Sequence, residues 1–326
     1  MITFGVLGAA AITPRALIYP CVDEPQANIR TIAARDRSRA EKMAEWAGIR
    51  NVVDDYQAVI DDPKCNAIYI PLPITAHHEW TLKALEAGKH VLCEKSIAAN
   101  AAEAQEMAAR AKETGLVLLE AFHYRYHPCF LRAKEIFDSG VLGTIETIEA
   151  GFCIQGPPPE TDIRMIYAQG GGTTMDLGCY PISWVRHLMD SEPVEVIATA
   201  IEGPPNVDLR LFTEMRFANG VTAKTRGDMG PDATFEMAFE VTGSNGTLKV
   251  QQPLVPQVGH SIAVTVGDQT TTEQKDRRST YGYQLDAFIR AVEQGEAQPT
   301  DGDDAVKQMQ LIDRCYEAAG MKLRGE

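Results

Sequence analysis

Three stretches of the chain bring together residue types that can move a proton or hold a phosphate. In HVLCEKS, Glu94 and Lys95 follow an apolar run that begins at His90. Open α/β sheets bind ligands at the carboxyl ends of their strands. A lysine at such an end can bind a substrate hydroxyl and lower the pKa of a neighbouring acid–base group. The plain alternative is a surface lysine that opens a loop. In QGGGTTMDLGCYPIS, Asp176 and Tyr180 are four residues apart and share one face of a helix. A carboxylate and a phenol so placed can orient a hydroxyl and shuttle its proton. Because free tyrosine titrates near pH 10, a lysine cation must poise it. Gly178 removes a side chain between the two, as if for the close approach of a ligand, and Gly170–Gly172 permit close backbone approach. The alternative is a helix start with a core tyrosine.

The third stretch is GVLGAAAIT, an apolar run broken at Gly8. A tight turn after the first strand of a dinucleotide-binding fold lets backbone N–H groups at a helix start meet a pyrophosphate. Gly8 supplies that turn, and Ala10, Ala11 and Ile12 would face the cofactor. Ala10 and Thr13 stand where G-x-G-x-x-G has its second and third glycines. The next strand ends in Ala33-Ala34-Arg35-Asp36. A carboxylate there would hold the ribose diol of NAD, and an arginine there pairs with the 2′-phosphate of NADP. Ala34 stands at the carboxylate position and Arg35 follows, with Arg37 and Arg39 close by, so NADP(H) is expected ahead of NAD(H). If that fails, the three arginines are a solvated helix entrance capped by Asp36.

These residues need a scaffold, and the chain supplies its periodicities. Strand candidates at Ile2–Leu7, Ile29–Ala34, Ala67–Ile70, His90–Cys93 and Leu116–Glu120 alternate with helical stretches. Gly48, Gly88 and Gly115 end helices, Thr75 is a candidate cap, and Asn100 with Glu103 forms an N-cap pair. Such alternation predicts a parallel sheet covered on both faces. Beyond a helix over Pro128–Asp138, strand-like runs dominate: Ile145–Phe152, Val194–Ile201, Leu209–Phe217, Val221–Arg226, Phe235–Val241, Thr247–Val250 and Ile262–Val266. Asn219-Gly220 and Asn245-Gly246 are placed to turn hairpins. Helices are expected over Cys179–Met189, Gln284–Glu293 and Asp303–Ala319. The fold class is therefore α/β: a Rossmann domain over 1–122, then an α/β domain over 123–326 with a large, mainly antiparallel open sheet.

Composition narrows the functions. The 326 residues carry 31 basic and 45 acidic side chains, a formal charge of −14, which repels nucleic acid and anionic lipid. No apolar run reaches the roughly 20 residues of a bilayer span, and the N-terminus lacks the basic region of a signal peptide. Seven scattered cysteines without a C-x-x-C pair suggest buried reduced thiols and a cytoplasmic protein. His123 and His127 are spaced for a metal, but no third ligand accompanies them, so no metal is expected. His77 and His78 open a helix beside Pro71, and His77 is a candidate cofactor contact. No G-x-S-x-G elbow is present.

With these residues in view, the chain resembles the glucose-fructose oxidoreductase/inositol dehydrogenase family along almost its whole length. GVLGAAAI, PLPITAHHEWTLKALEAGKHVLCEKS, EAFHYRYHP and DIRMIYAQGGGTTMDLGCYPIS carry the resemblance. Within the family it is similar to the branch of NADP-dependent D-xylose 1-dehydrogenases and dimeric dihydrodiol dehydrogenases, which carry tyrosine where Tyr180 stands. The resemblance implies a dehydrogenase or reductase acting on a hydroxyl or carbonyl of a sugar, polyol or dihydrodiol. It assigns Lys95 and Tyr180 to proton transfer and Asp176 to substrate orientation. Glu94, Pro71, Leu72 and Pro73 would border nicotinamide and ribose, and Arg164 the entrance. It further implies a homodimer or homotetramer formed through the second sheet. Two departures stand out: Ser96 replaces the proline after the lysine, and Ile74 replaces an asparagine after Pro73. Other readings are a nucleotide-sensing regulator without turnover and an NAD-dependent redox-assisted glycosidase. Lys95 with Tyr180 argues against the first, and Arg35 against the second.

Overall fold

A computed structural model describes residues 1–326. The chain forms two compact units, Met1–His123 with Tyr281–Lys307, and Tyr124–Thr280 with Gln308–Glu326.

The first unit holds six parallel strands: β1 (Ile2–Leu7), β2 (Ala27–Ala33), β3 (Asn51–Val52), β4 (Ala67–Ile70), β5 (His90–Cys93) and β6 (Leu118–Glu120). Their order is β3-β2-β1-β4-β5-β6, the doubly wound arrangement, with its topological switch between β1 and β4. β4 is buried at every position because helices cover both faces, which explains the continuous apolar runs. The connecting helices are α1 (Tyr19–Asp23), α2 (Arg37–Ala47), α3 (Tyr56–Ile60), α4 (His77–Glu86) and α5 (Ala101–Thr114). Asn100 caps α5 by accepting from Glu103 N at 3.0 Å, and Glu103 Oε2 accepts in return from Ala99 N, one residue ahead of the cap. Thr75 is not the cap of α4: it lies inside a 3₁₀ turn, Ile74–Ala76, and Ala76 occupies the cap position.

The second unit contains α6 (Pro128–Asp138), β7 (Ile145–Cys153), α7 (Cys179–Met189), β8 (Glu195–Glu202), β9 (Asp208–Arg216), β10 (Thr222–Asp228), β11 (Glu236–Gly243), β12 (Gly246–Gln251), β13 (Ser261–Val266) and β14 (Gln269–Glu273). The sheet order is β14-β13-β12-β11-β7-β10-β9-β8, antiparallel throughout except for the central pair β7 and β10. Asn219-Gly220 and Asn245-Gly246 sit at the β9–β10 and β11–β12 turns. β9 and β10 alternate in burial, so one face of the sheet is covered and the other open. α7 packs on β7 and β10 and is buried from Cys179 to Leu188.

The chain then forms α8 (Thr280–Gln294) and α9 (Gly302–Ala318). Here the division differs from one at residue 122 alone, because Tyr281–Lys307 belongs to the first unit. The cause is the apolar face of α8. Leu285, Phe288 and Ile289 join the core under β1, with the Phe288 ring 5.4 Å from that of Phe4.

Candidate active site

In the first unit, parallel pairing brings the carboxyl ends of β1, β2, β4, β5 and β6 to one edge. Gly8 turns the chain there with φ 107°, and its N–H donates to Ala33 O at 2.7 Å. The positive φ favours glycine, and a Cβ on Gly8 would also crowd Leu72 Cδ2 at 3.1 Å. Ala11 is exposed, and Ala10 and Ile12 are half-buried, at the start of the first helical segment. This open turn fits a dinucleotide pyrophosphate. Arg39 Nη2 donates to Ala9 O at 2.8 Å, tying α2 to the turn. Arg35 is exposed just past β2, whereas Arg37 is occupied by Glu41 and Asp54, and Asp36 caps α2 through Ser38.

The ends of β4 and β5 are joined by buried side chains. Tyr69 Oη donates to Glu94 Oε1 at 2.6 Å. His77 is fully buried, with Nε2 2.8 Å from Leu72 O and Nδ1 3.0 Å from Ser96 O. It lies between the loops that follow β4 and β5; burial pushes it down to about 4, leaving it neutral at pH 7, so its single N–H donates to one of these two carbonyls. The Lys95–Ser96 peptide is cis. Sequence reasoning missed Tyr69, which is only one apolar-strand residue among several until its partner is seen.

In the second unit a π-type turn, Thr174–Gly178, leads into α7, which carries Tyr180 in its first turn. The Tyr180 ring is buried within an aromatic group, its centroid 5.8 Å from Phe152 and 6.3 Å from Tyr124. Asp176 is partly exposed and lies 3.6 Å from Arg164 Nη1. Arg164 grips Asp162 with Nε and Nη2 at 2.9 and 3.0 Å, which holds the Asp162 carboxyl below its usual range. The expectation that Gly178 clears space for a ligand is corrected. Its neighbour is Gly227 of β10, where a Cβ would stand 2.9 Å from Gly178 Cα. Glycine at 227 lets the helix start press on the sheet, whereas a Cβ on Gly178 would meet Thr174 and Gly227 only at ordinary contact distances of 3.7–3.8 Å.

The glycine run has a similar structural use. A Cβ on Gly172 would collide with Asp208 and Arg324. These two form a fully buried ion pair at 2.6 Å. Asp208 Oδ2 accepts from Thr174 N and Oγ1 at 2.7 and 2.6 Å, and Oδ1 accepts from Tyr316 Oη. Arg324 Nε donates to Gly171 O. The C-terminal tail thereby anchors the backbone that leads into Asp176 and Tyr180.

Two family models match this chain: an oxidoreductase family with an NAD-binding Rossmann fold over residues 2–122, and the GFO/IDH/MocA C-terminal domain over 130–249. A D-xylose 1-dehydrogenase (NADP(+)) of Haloferax volcanii is 33% identical, over 97% of both chains. The chain belongs to the glucose-fructose oxidoreductase/inositol dehydrogenase family. A 3-ketoreductase of Actinomadura kijaniata, solved with NADP and TDP-benzene, superposes with a TM-score of 0.87 at 29% identity, over 97% of each chain. An aldose-aldose oxidoreductase of Caulobacter crescentus shares the fold, with a TM-score of 0.90 at 23% identity over 98% of this chain and 97% of its own.

For a member of this family the remaining candidates have structural partners. His78 pairs with Glu106, and His123 stacks on Tyr281 with ring centroids 4.0 Å apart. His127 caps α6 through Cys129 N, and its Nε2 lies 3.2 Å from Arg278 O. All seven cysteines are free thiols, six of them buried. No helix is long and apolar enough to cross a membrane.

Arg324→Met strands a buried carboxylate and is expected to cost about 3 kcal/mol of unfolding free energy in urea melts. A loss below about 1 kcal/mol contradicts the anchoring role. Burial pushes both His77 and His127 down to about 4. The unfolded chain protonates them below about pH 6.5, so stability is lost as pH falls through that window. The expected slope is about 1.4 kcal/mol per pH unit for each histidine once both are protonated only in the unfolded chain. Urea melts from pH 7 to about pH 5 read it, and a flat profile contradicts the neutral assignment.

Proposed function

We propose that this chain is an NADP-dependent oxidoreductase that transfers a hydride between the nicotinamide and a hydroxyl or carbonyl carbon of a sugar, polyol or dihydrodiol. The observation that carries the reading is the parallel-sheet edge, where the Gly8 turn, Arg35 and Lys95 follow strands β1, β2 and β5. The names of the xylose dehydrogenase and of the NADP-bound ketoreductase support it. The bound nicotinamide supplies the hydride acceptor or donor at C4.

The chain supplies binding and proton traffic. Gly8 and the Ala10–Ile12 backbone receive the pyrophosphate, and Arg35 with Arg39 receives the 2′-phosphate. Pro71, Leu72, His77 and Glu94 shape the nicotinamide side. In the oxidative direction, Tyr180 takes the hydroxyl proton while the carbinol carbon loses hydride, leaving a carbonyl. Lys95 stabilises the tyrosinate, Asp176 holds a neighbouring hydroxyl, and Arg164 sets the orientation of Asp176. Reduction reverses each step.

Exposed Ile197, Ile201 and Phe212 lie on β8 and β9, at the open face of the second sheet. We infer that a second copy covers them. Phe212→Lys is expected to shift the species seen by light scattering towards monomer, and an unchanged mass would remove the inference.

Tyr180→Phe should lower kcat by about 100- to 10,000-fold and leave cofactor affinity within about threefold. Wild-type turnover in this variant sinks the proton-transfer assignment. Arg35→Ala should raise the KM for NADP⁺ about 10- to 100-fold through loss of a charge-assisted bond. The KM for NAD⁺ should stay unchanged, and a parallel rise for both cofactors would contradict 2′-phosphate recognition.

A further inference from the structure

The turn that carries Lys95 is gripped from the protein interior by two side chains to which the proposed chemistry gives no proton-transfer task. Ser96 is fully buried, and its carbonyl oxygen lies 3.0 Å from His77 Nδ1. One residue further, Ile97 N donates to Glu120 Oε1 at 2.9 Å. Cys93 Sγ reaches Ile97 O at 3.8 Å and closes the turn from the strand side. His77 opens α4 and Glu120 ends β6, so the two grips come from different elements. Both side chains have no exposed surface, and Ile97 is 1% exposed.

A buried carboxyl is a costly way to accept a backbone hydrogen bond, since transfer from water without full compensation costs kilocalories. A position that only filled space would be served by an apolar side chain. Here the accepted N–H belongs to the residue two past Lys95. Ile97 is buried at 1% exposure, so without Glu120 the amide would lose its acceptor and the turn would move. Catalytic geometry tolerates little movement, a displacement of about 1 Å being enough to cost about 100-fold in rate.

We propose that Glu120 is a positioning residue for Lys95, with His77 as its counterpart at Ser96. The pair fixes where the lysine ammonium stands during proton transfer. This inference rests on the proposed role of Lys95, and its test must separate the two.

The test is a double-mutant cycle of Glu120→Leu and Lys95→Met, with Glu120→Gln as the conservative variant. Steady-state kinetics are read with NADP(H), and amide hydrogen exchange over residues 94–99 is read in the cofactor-free protein. Glu120→Leu should lower kcat about 10- to 100-fold, with the KM for cofactor within about threefold. Glu120→Gln, which still presents a carbonyl oxygen to Ile97 N, should recover turnover to within about fivefold. In the Lys95→Met background, Glu120→Leu should cost nothing further, because its effect runs through the lysine. Exchange should accelerate at Ile97 and not across the rest of the first unit. Wild-type kcat in Glu120→Leu, or an equal loss in both lysine backgrounds, overturns the proposal. Full activity of Lys95→Met alone would instead remove the role of Lys95. The clamp would then be judged by exchange at Ile97, and unchanged exchange overturns it. Should Glu120→Leu fail to fold, His77→Asn takes its place in the same cycle, where a kcat loss confined to the Lys95 background supports the proposal and an equal loss in both overturns it.

Discussion

Parallel pairing is the constraint on which the first unit depends. A strand that runs the same way as its neighbours must deliver its carboxyl end to the same edge, whatever lies in the sequence between them. Gly8, Arg35, Pro71, the adjacent Glu94 and Lys95, and Glu120 come from distant parts of the sequence, yet each follows or ends a strand of one six-stranded sheet. Short buried bonds then fix their mutual register. Tyr69 holds Glu94, His77 lies between Leu72 O and Ser96 O and donates to one of them, and Glu120 holds Ile97. Burial keeps His77 itself neutral between the two loops.

The second unit solves a different problem. Its sheet has one open face, and the helix start that carries Asp176 and Tyr180 must be pinned from the covered side. Close contact between Gly178 and Gly227 sets the depth of that helix start. The Asp208–Arg324 pair sets its end, because Asp208 accepts from the Thr174 amide while Arg324 holds Gly171 O. An isolated charge in that interior would cost several kcal/mol, so the pair stands or falls together. In the sequence alone, the glycine run at 170–172 reads as permitting close backbone approach. In the structure it makes room for this pair and for the loop at 164–166.

What was legible in the sequence was local. Asn100 with Glu103, the two Asn-Gly turns, Pro128 at the start of α6 and the buried strands each carry their signal within a few residues. The family resemblance extended this to the fold class. The strand β14 was missed because Gln269–Glu273 is polar and mostly exposed at a sheet edge, with no alternating apolar face. The return of α8 to the first unit was missed because its amphipathic pattern tells that it packs, not on what. Arg324 and Asp208 are 116 residues apart, and each reads as an ordinary surface charge until they meet. The same holds for Tyr69 and Glu94, and for Glu120, whose burial no periodicity announces.

The central claim is that the parallel-sheet edge serves hydride transfer between NADP(H) and a polyhydroxylated substrate. The most direct measurement is nicotinamide absorbance with purified protein, NADP⁺ or NAD⁺, and a panel of aldoses, inositols and trans-dihydrodiols. The account predicts accumulation of NADPH with one substrate class, and faster reduction of NADP⁺ than of NAD⁺. Tight NADPH binding without turnover of any substrate in either direction would contradict it and leave a nucleotide-binding protein that performs no redox chemistry.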